Sequence, residues 1–197
     1  GADTHYLNCN ADDDFIPDLD AVPKAIWQRC QLLQLCAPGN PTGATLSLAY
    51  YKKAFELADK YDFIVSNDEC YSELYRDEEN PPLGILEACQ KLGRDQFERC
   101  VVLHSLSKRS NLPGLRSGFV AGNAQLLDYF FRYRTYHGCA LSLPVQKASI
   151  AAWNDESHVM QNRQLYKQKF EAVGSILDGV LDFNMPPAGF YLWPKTP

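Results

Sequence analysis

A lysine, two serines and an arginine lie close together in the middle of the chain. Ser105, Ser107 and Lys108 follow an apolar run at residues 100–104 that is typical of a buried strand, and Arg116 comes shortly afterwards. In open α/β sheets, ligands bind at the carboxyl ends of the strands. A lysine amine can attack a carbonyl there, while hydroxyls and a guanidinium suit a phosphate. The segment indicates a phosphorylated carbonyl cofactor held as an imine, and a solvated lysine in a serine-shaped turn is the alternative.

Two other apolar runs also end at polar groups. Residues 63–67 lead to Asp68, with Tyr71 close behind, and residues 32–36 lead to Asn40. Each has a structural explanation by itself, because Asp often forms turns or caps and Asn-Pro-Thr-Gly is favourable turn chemistry. Together, the three strand ends deliver an amide, a carboxylate and an amine. A pyridoxal ring requires these groups at its phenolic oxygen, its ring nitrogen and its aldehyde.

Four segments in this order resemble the class I and II aminotransferases, which are pyridoxal 5'-phosphate enzymes of fold type I. They are Asn-Pro-Thr-Gly from position 40, Asp-Glu-Cys-Tyr from 68, Ser-Leu-Ser-Lys from 105 and Gly-Leu-Arg-Ser-Gly-Phe from 114. The spacings between these segments also match that family, and the resemblance covers nearly the whole chain. Within the family, residues 105–119 are most similar to the bacterial succinyldiaminopimelate aminotransferases.

The resemblance implies roles for the residues around the cofactor ring. Lys108 is the expected catalytic residue, which forms the imine with the cofactor aldehyde and moves the proton between the substrate Cα and C4′. Asp68 is expected to pair with the pyridinium nitrogen, which makes the ring a better electron sink. Tyr71 and Asn40 are expected to donate to the phenolic oxygen, and Asn40 also to contact the substrate.

The resemblance also implies a phosphate site. Ser105 and Arg116 are expected to bind the cofactor phosphate, with Ser107 as a helper, since the planar guanidinium donates two hydrogen bonds at once. The Asn40–Pro41 peptide bond is expected to be cis. No metal site is expected, because the consecutive carboxylates at residues 12–14 point in different directions and indicate a solvated loop.

The elements that must position these groups predict an α/β fold. Strands are expected at 32–36, 63–67, 100–104 and 118–121, with crossover helices at 48–60 and 83–92 between the first three. Only a short polar segment rich in Pro and Gly separates the last two strands, so no crossover helix fits there. The fourth strand is therefore predicted to run antiparallel in an otherwise parallel sheet. The resemblance assigns this sheet to the three-layer large domain of fold type I enzymes.

The rest of the chain is predicted to be mainly helical. Asn123 caps an aromatic-rich helix at 125–136, a second helix spans 144–152, and a long one spans 156–181. The predicted apolar side of the long helix contains Met160, Leu165, Phe170, Val173, Ile176, Leu177 and Val180. The aromatic residues favour packing against the core or a second subunit over stacking on a cofactor. The predicted division is a large domain at 1–155, truncated at its N-terminus, a linking helix at 156–181, and the start of a small domain at 182–197, opened by a strand at 189–193.

The chain is expected to be a fragment of a longer enzyme. The resemblance implies an upstream phosphate-binding loop, an upstream aromatic residue that stacks on the ring, and a downstream arginine for the substrate carboxylate, none of which the sequence supplies. We therefore expect these 197 residues alone to bind cofactor weakly and to transaminate poorly or not at all.

Composition limits the partners and the compartment. A net charge of −5 argues against nucleic acid, and no signal peptide or membrane span is visible. The seven cysteines lack metal-binding spacing and indicate reduced thiols in a cytoplasmic protein. Their positions are Cys9, Cys30, Cys36, Cys70, Cys89, Cys100 and Cys139. Cys70 lies beside the predicted site without an assigned role, and His104 is expected to pack or to donate to a neighbour.

The leading functional hypothesis is an aminotransferase that acts on small amino acids and 2-oxo acids as a homodimer. N-succinyl-LL-2,6-diaminopimelate, with glutamate as amino donor, is the predicted substrate, in lysine biosynthesis. A different fold type I enzyme, such as another aminotransferase or a C–S lyase, stays open because the motifs do not fix which bond to Cα breaks. The third reading is a cofactor-binding sensor domain of a transcription regulator, which requires a DNA-binding segment that the visible sequence lacks.

Overall fold

Four strands form one mixed sheet in the computed structural model, which describes residues 1–138 and 140–196. The strands are β1 (Leu32–Cys36), β2 (Ile64–Asp68), β3 (Cys100–Ser105) and β4 (Gly118–Gly122), and they lie in that order across the sheet. The first three are parallel, and β4 pairs antiparallel with β3. The predicted strands are confirmed to within one residue at each end, and so is the antiparallel direction of the fourth.

Crossover helices connect the parallel strands. They are α2 (Leu48–Tyr61) and α3 (Ile85–Lys91), while a single turn, α1 (Lys24–Trp27), precedes β1. The predicted cap at Ser47 is confirmed, because its side chain accepts a hydrogen bond from the Tyr50 N–H. The helix buries residues at spacings of three and four along one face, as an amphipathic helix on a sheet must. These residues are Tyr51, Ala54, Phe55 and Ala58.

The main hydrophobic core lies between the sheet and helices α2 and α3. Its buried residues run from Leu19 to Val102 along the chain, and Trp27 stacks on Phe63 with 5.4 Å between ring centroids. Close-packed side chains between the sheet and these two helices therefore hold β1, β2 and β3 in place.

The connection from β3 to β4 contains only short turns. It consists of α4 (Leu106–Arg109) and a 3-10 turn at Pro113–Leu115, after which Arg116 adopts a left-handed conformation at φ 50°. Gly118 then pairs with Ser105, and a Cβ atom on Gly118 would lie 2.2 Å from the His104 carbonyl oxygen. The absence of a crossover helix in this described segment accounts for the antiparallel return.

Three long helices follow β4. They are α5 (Ala124–His137), α6 (Leu143–Trp153) and α7 (Ser157–Leu177), and Asn123 caps α5 as predicted. The predicted long helix was wrong at its end, because α7 stops four residues earlier than residue 181. Its apolar face was also largely wrong, since it was expected to contain Met160, Leu165, Phe170, Val173, Ile176, Leu177 and Val180. The buried residues of α7 are Val159, Arg163 and Phe170, and the Arg163 guanidinium is paired with Glu73 and Glu78.

The predicted strand at 189–193 was wrong. Within the described residues this segment forms no ladder, and pairing is limited to isolated bridges of Tyr75 with Ala188 and of Asp182 with Lys195. A strand needs a partner along its length, and here only the Gly189 N–H donates, to the Leu74 carbonyl oxygen at 2.7 Å. Cys139 and Pro197 lie outside the described residues, and the predicted domain division stays a prediction.

None of the helices in residues 1–138 and 140–196 is both long and apolar enough to cross a membrane.

Candidate active site

The predicted site residues follow three strands that end at one edge of the sheet. Cys36 at the end of β1 pairs with Asp68 at the end of β2, and Asp68 pairs with Leu103 on β3. Asn40 follows β1, and Lys108 follows β3 after the single turn that begins at Leu106. The register therefore brings the amide, carboxylate and amine segments to the same edge, as the sequence predicts.

Asn40 and Tyr71 form a direct pair. Asn40 Nδ2 donates to the Tyr71 hydroxyl oxygen at 2.9 Å. The pKa of Tyr71 is raised to about 12, mainly by burial and also by the neighbouring Tyr191, Cys36 and Cys70, while the hydrogen bond from Asn40 acts in the opposite direction. The phenol therefore keeps its proton at neutral pH, and because Asn40 occupies one lone pair, the O–H remains available as a donor.

The loop that carries Asn40 is fixed by its backbone. The predicted cis peptide bond at Asn40–Pro41 is confirmed, and a second one, at Ala37–Pro38, was not predicted. The Gly43 N–H donates to the Gly39 carbonyl oxygen at 2.8 Å, which closes the turn. Gly43 has φ 72°, and a Cβ atom there would lie 2.1 Å from the Ala188 carbonyl oxygen, so this close approach requires glycine.

Asp68 and Lys108 share an electrostatic neighbour. Asp68 Oδ1 accepts a hydrogen bond from the Cys70 N–H at 3.0 Å, which orients the carboxylate. The pKa of the Cys70 thiol is raised to about 12, mainly by burial and also by Asp68 and Cys36, while the Lys108 ammonium acts in the opposite direction. The carboxylate and the amine therefore both influence the pKa of this thiol, as expected for two groups that lie in one site.

Phe190 lies against both Lys108 and Tyr71. The Lys108 Nζ atom is 4.6 Å from the Phe190 ring centroid, and the Tyr71 and Phe190 centroids are 5.3 Å apart. The Lys108 backbone is also held by α7, since Asn162 Nδ2 donates to its carbonyl oxygen at 3.2 Å. Sequence reasoning missed Phe190 because its segment was predicted to be a small-domain strand. The neighbouring Gly189 was the one residue type there that could have indicated a close approach to another segment, and it packs beside Gly43.

The serines of the predicted phosphate site contact each other. Ser105 Oγ is 2.8 Å from Ser107 Oγ and accepts from the Ser107 N–H at 3.1 Å. The Leu106 N–H donates to the Ser117 carbonyl oxygen at 3.1 Å, which ties the serines to the backbone beside Arg116. Arg116 is exposed and donates one N–H to the Pro113 carbonyl oxygen at 3.0 Å, so its other guanidinium donors remain for a ligand.

A buried network behind the site was largely missed by sequence reasoning. Glu69 is 4% exposed and accepts hydrogen bonds from Asn67 and from the Ile85 N–H, while His104 lies 3.3 Å away. The expectation that His104 serves a neighbour agrees with this geometry. Among the described residues, no group of three or more His, Cys, Asp or Glu side chains is arranged to hold a metal ion.

Comparisons with known proteins agree on one family. The sequence profile described as "Aminotransferase class I and II" matches residues 1–197. An LL-diaminopimelate aminotransferase of Nitratidesulfovibrio vulgaris is 32% identical over 199 residues, which cover 100% of this chain and 50% of that protein. The chain thus spans about half the length of the curated relatives it matches.

Solved structures give the same result. The crystal structure of an aminotransferase from Neisseria meningitidis matches with a TM-score of 0.93 and 53% identity, covering 100% of this chain and 49% of that one. A probable N-succinyldiaminopimelate aminotransferase from Thermus thermophilus matches with a TM-score of 0.83 and 30% identity, covering 94% of this chain and 49% of that one.

Proposed function

Because this chain belongs to the class I and II aminotransferase family, we propose that its three parallel strand ends hold pyridoxal phosphate for amino-group transfer from an amino acid to a 2-oxo acid. The family depends on that cofactor, and the mixed sheet is that of fold type I aminotransferases. The observation that carries the proposal is the common edge at which Asn40, Asp68 and Lys108 follow adjacent strands.

The side chains around the proposed ring position fit the cofactor. Asp68 offers a carboxylate for the pyridinium nitrogen, with one oxygen already oriented by the Cys70 N–H. Tyr71 offers a protonated hydroxyl for the phenolic oxygen, and Asn40 orients that hydroxyl at 2.9 Å. Lys108 offers the amine, which Phe190 covers on one side. This is the donor set that a pyridoxal ring requires.

The phosphate end has a matching donor set. Ser105 and Ser107 place two hydroxyls next to each other, and Arg116 follows on the loop that the Ser117 carbonyl ties to them. A guanidinium binds phosphate with two parallel hydrogen bonds, and serine hydroxyls add shorter ones. We assign the phosphate to these three residues, with Ser107 as the minor contributor.

The chain's own residues then divide the chemistry. When bound, the cofactor supplies an aldehyde carbon and an electron-withdrawing ring that stabilises charge at the substrate Cα. Lys108 would hold the cofactor through its amine, and once the amine of the substrate takes its place, the free Lys108 Nζ would carry the proton away from the substrate Cα. Asp68 holds the proton on the ring nitrogen, and Tyr71 donates to the phenolic oxygen. Phe190 excludes water from one side of the Lys108 amine.

The proposed substrate is N-succinyl-LL-2,6-diaminopimelate, with glutamate and 2-oxoglutarate as the second pair, in lysine biosynthesis. Support comes from the resemblance of residues 105–119 and from the name of the Thermus thermophilus protein. Unacylated LL-diaminopimelate is the second candidate, because the curated relatives carry the name LL-diaminopimelate aminotransferase. The two substrates share one carbon skeleton and differ only at the distal amino group.

We further propose a cytoplasmic homodimer. Homodimers are typical of the family, and α5 presents the exposed aromatic residues Tyr129, Phe131 and Tyr136, which suit a subunit contact. Every described cysteine is a free thiol, which favours a reducing compartment.

Absorbance titration with pyridoxal 5'-phosphate tests the cofactor site. In the full-length protein, an imine band is expected that glutamate bleaches and 2-oxoglutarate restores, whereas the 197 residues alone are expected to give a weak band. Lys108→Ala should abolish the band, whereas the exposed Lys52→Ala should leave it unchanged. An equal band in both variants contradicts the assignment of Lys108. A comparison of kcat/KM of the full-length protein for the acylated and unacylated substrates then decides between the two candidates, and a preference for LL-diaminopimelate overturns the succinyl proposal.

A further inference from the structure

Glu69 is a buried carboxylate that the proposed chemistry does not use. It is 4% exposed, and among the described residues its only charged-type neighbour within ion-pair distance is His104, whose Nε2 lies 3.3 Å from Oε2. Its Oε1 accepts from the Ile85 N–H at 2.6 Å and from Asn67 Nδ2 at 2.9 Å. Burial of a carboxylate is unfavourable without such partners, so this arrangement is built around the Glu69 side chain.

The hydrogen bonds of Glu69 extend to all three strand ends that carry the site. Asn67 Oδ1 accepts from the Ala37 N–H at 3.1 Å, and its Nδ2 also lies 3.3 Å from the Ala37 carbonyl oxygen, directly after β1. Asn67 itself belongs to β2, and His104 is the residue before Ser105 on β3. One connected set of polar groups therefore links the loop of Asn40, the strand of Asp68 and the turn of Lys108.

The network also determines which way Asp68 points. Asn67 and Glu69 flank Asp68, and successive side chains of an extended strand project to opposite faces. Asn67 is fully buried and Glu69 nearly so, whereas Asp68 is only partly covered. A shift of one residue would exchange these faces, and specific buried hydrogen bonds oppose that shift.

We propose that Glu69 is a positioning residue of the cofactor site, which holds the Asp68 strand end and the Lys108 strand end in fixed relation through Asn67 and His104. The inference rests on the proposed function. It predicts that damage to the network weakens and reorients bound cofactor even though no member of the network touches it.

The test is the dissociation constant of pyridoxal 5'-phosphate, together with the visible circular dichroism per bound cofactor. Glu69→Ala leaves the Ile85 N–H and the Asn67 amide without their acceptor, and should weaken binding about tenfold and alter the dichroism. Glu69→Gln keeps a carbonyl oxygen for both donors and can face His104 with its amide, so it should restore binding to within about twofold. Glu87→Ala, at an exposed position on α3, is the matched control.

Stability and positioning are separable in this design. When nearly all of the protein is folded, a loss of folding free energy alone does not change the dissociation constant. Urea unfolding of each variant establishes that condition. If Glu69→Ala does not fold, His104→Phe replaces it, because it keeps the ring contact with Phe119 and removes only one donor. That variant should weaken binding about threefold.

The outcomes distinguish the two proposals. Failure of the unsubstituted protein to bind the cofactor through Lys108 contradicts the proposed function. Normal cofactor binding that is unaffected by Glu69→Ala, or by His104→Phe where the alanine variant does not fold, contradicts the positioning role alone.

Discussion

Helices α2 and α5 have the same length, but α2 buries its apolar residues and α5 exposes them. Helix α2 buries four residues against the sheet, including Phe55 at 2% exposure. Helix α5, which the structure describes in full, buries none, and Phe131 is 73% exposed. The region around α2 therefore has a core of its own, whereas the region around α5 presents apolar surface. Asn40, Asp68 and Tyr71 belong to the first region, while Lys108 lies at the boundary with the second.

Buried arginines link the helices of the second region to the rest of the molecule. Arg109 donates to the Ala152 carbonyl oxygen at 2.9 Å, contacts Glu156, and lies over the Trp153 ring. Arg163 pairs with Glu73 and Glu78. The comparison indicates that the core fixes the carboxylate side of the site and that ion pairs hold the helices around the lysine side.

The largest expected effect is on the complete core. Phe55→Ala should lower the free energy of unfolding by about 3–5 kcal/mol, because it removes a buried ring and leaves a cavity. Phe131→Ala, the matched change on α5, should lower it by less than about 0.5 kcal/mol in the monomeric protein. Urea unfolding measures both, and equal losses would remove the distinction between the two regions.

A smaller effect is expected where an arginine anchors α7. Arg163→Met should lower the free energy of unfolding by about 2 kcal/mol, below the usual loss for a buried pair because Glu78 is partly solvated. Arg132→Met, at an exposed position on α5, is the control and should have little effect. A loss below about 0.5 kcal/mol for Arg163→Met would mean that the anchoring account of α7 is wrong.

Alkaline pH should destabilise the core around α2, where Tyr51 is buried. Burial raises the pKa of Tyr51, followed by the effect of Glu69, so above pH 10 the unfolded chain releases a proton that the folded chain keeps. The contribution of Tyr51 to stability is therefore complete below its unfolded pKa and is lost as pH rises above it, by up to about 1.4 kcal/mol per pH unit. Tyr51→Phe should reduce the slope of unfolding free energy between pH 9.5 and 11. An unchanged slope would mean that Tyr51 is not the group whose raised pKa makes stability fall at alkaline pH.

The smallest expected effect concerns the hydroxyl of the Asn40–Tyr71 pair. Tyr71→Phe removes one neutral donor and keeps the ring against Phe190, so cofactor affinity should fall about threefold to tenfold. The dissociation constant of pyridoxal 5'-phosphate measures this. An unaltered value would mean that the hydroxyl does not face the cofactor.

The sequence predicted those parts of the site that depend on local patterns. Apolar runs gave the strands, the short link from Ser105 to Gly118 gave the antiparallel direction, and the Ser47 and Asn123 caps gave two helix starts. Each of these is decided by residues close together in the chain.

The missed parts depend on contacts between distant residues. Glu69 meets His104 and Ile85 only after folding, and neither spacing carries a sequence signal. Phe190 reaches Lys108 from the far end of the chain. The inward face of α7 was mispredicted because apolar periodicity does not register a buried arginine that is paired across the fold.

The central claim is that Lys108 is the amine that binds the cofactor at the shared strand edge. Borohydride reduction of the protein with pyridoxal 5'-phosphate, followed by peptide mass spectrometry, tests it directly. The account predicts a phosphopyridoxyl group on Lys108 and on no other lysine. Attachment of the phosphopyridoxyl group to a different lysine, or no attachment at all, would contradict it.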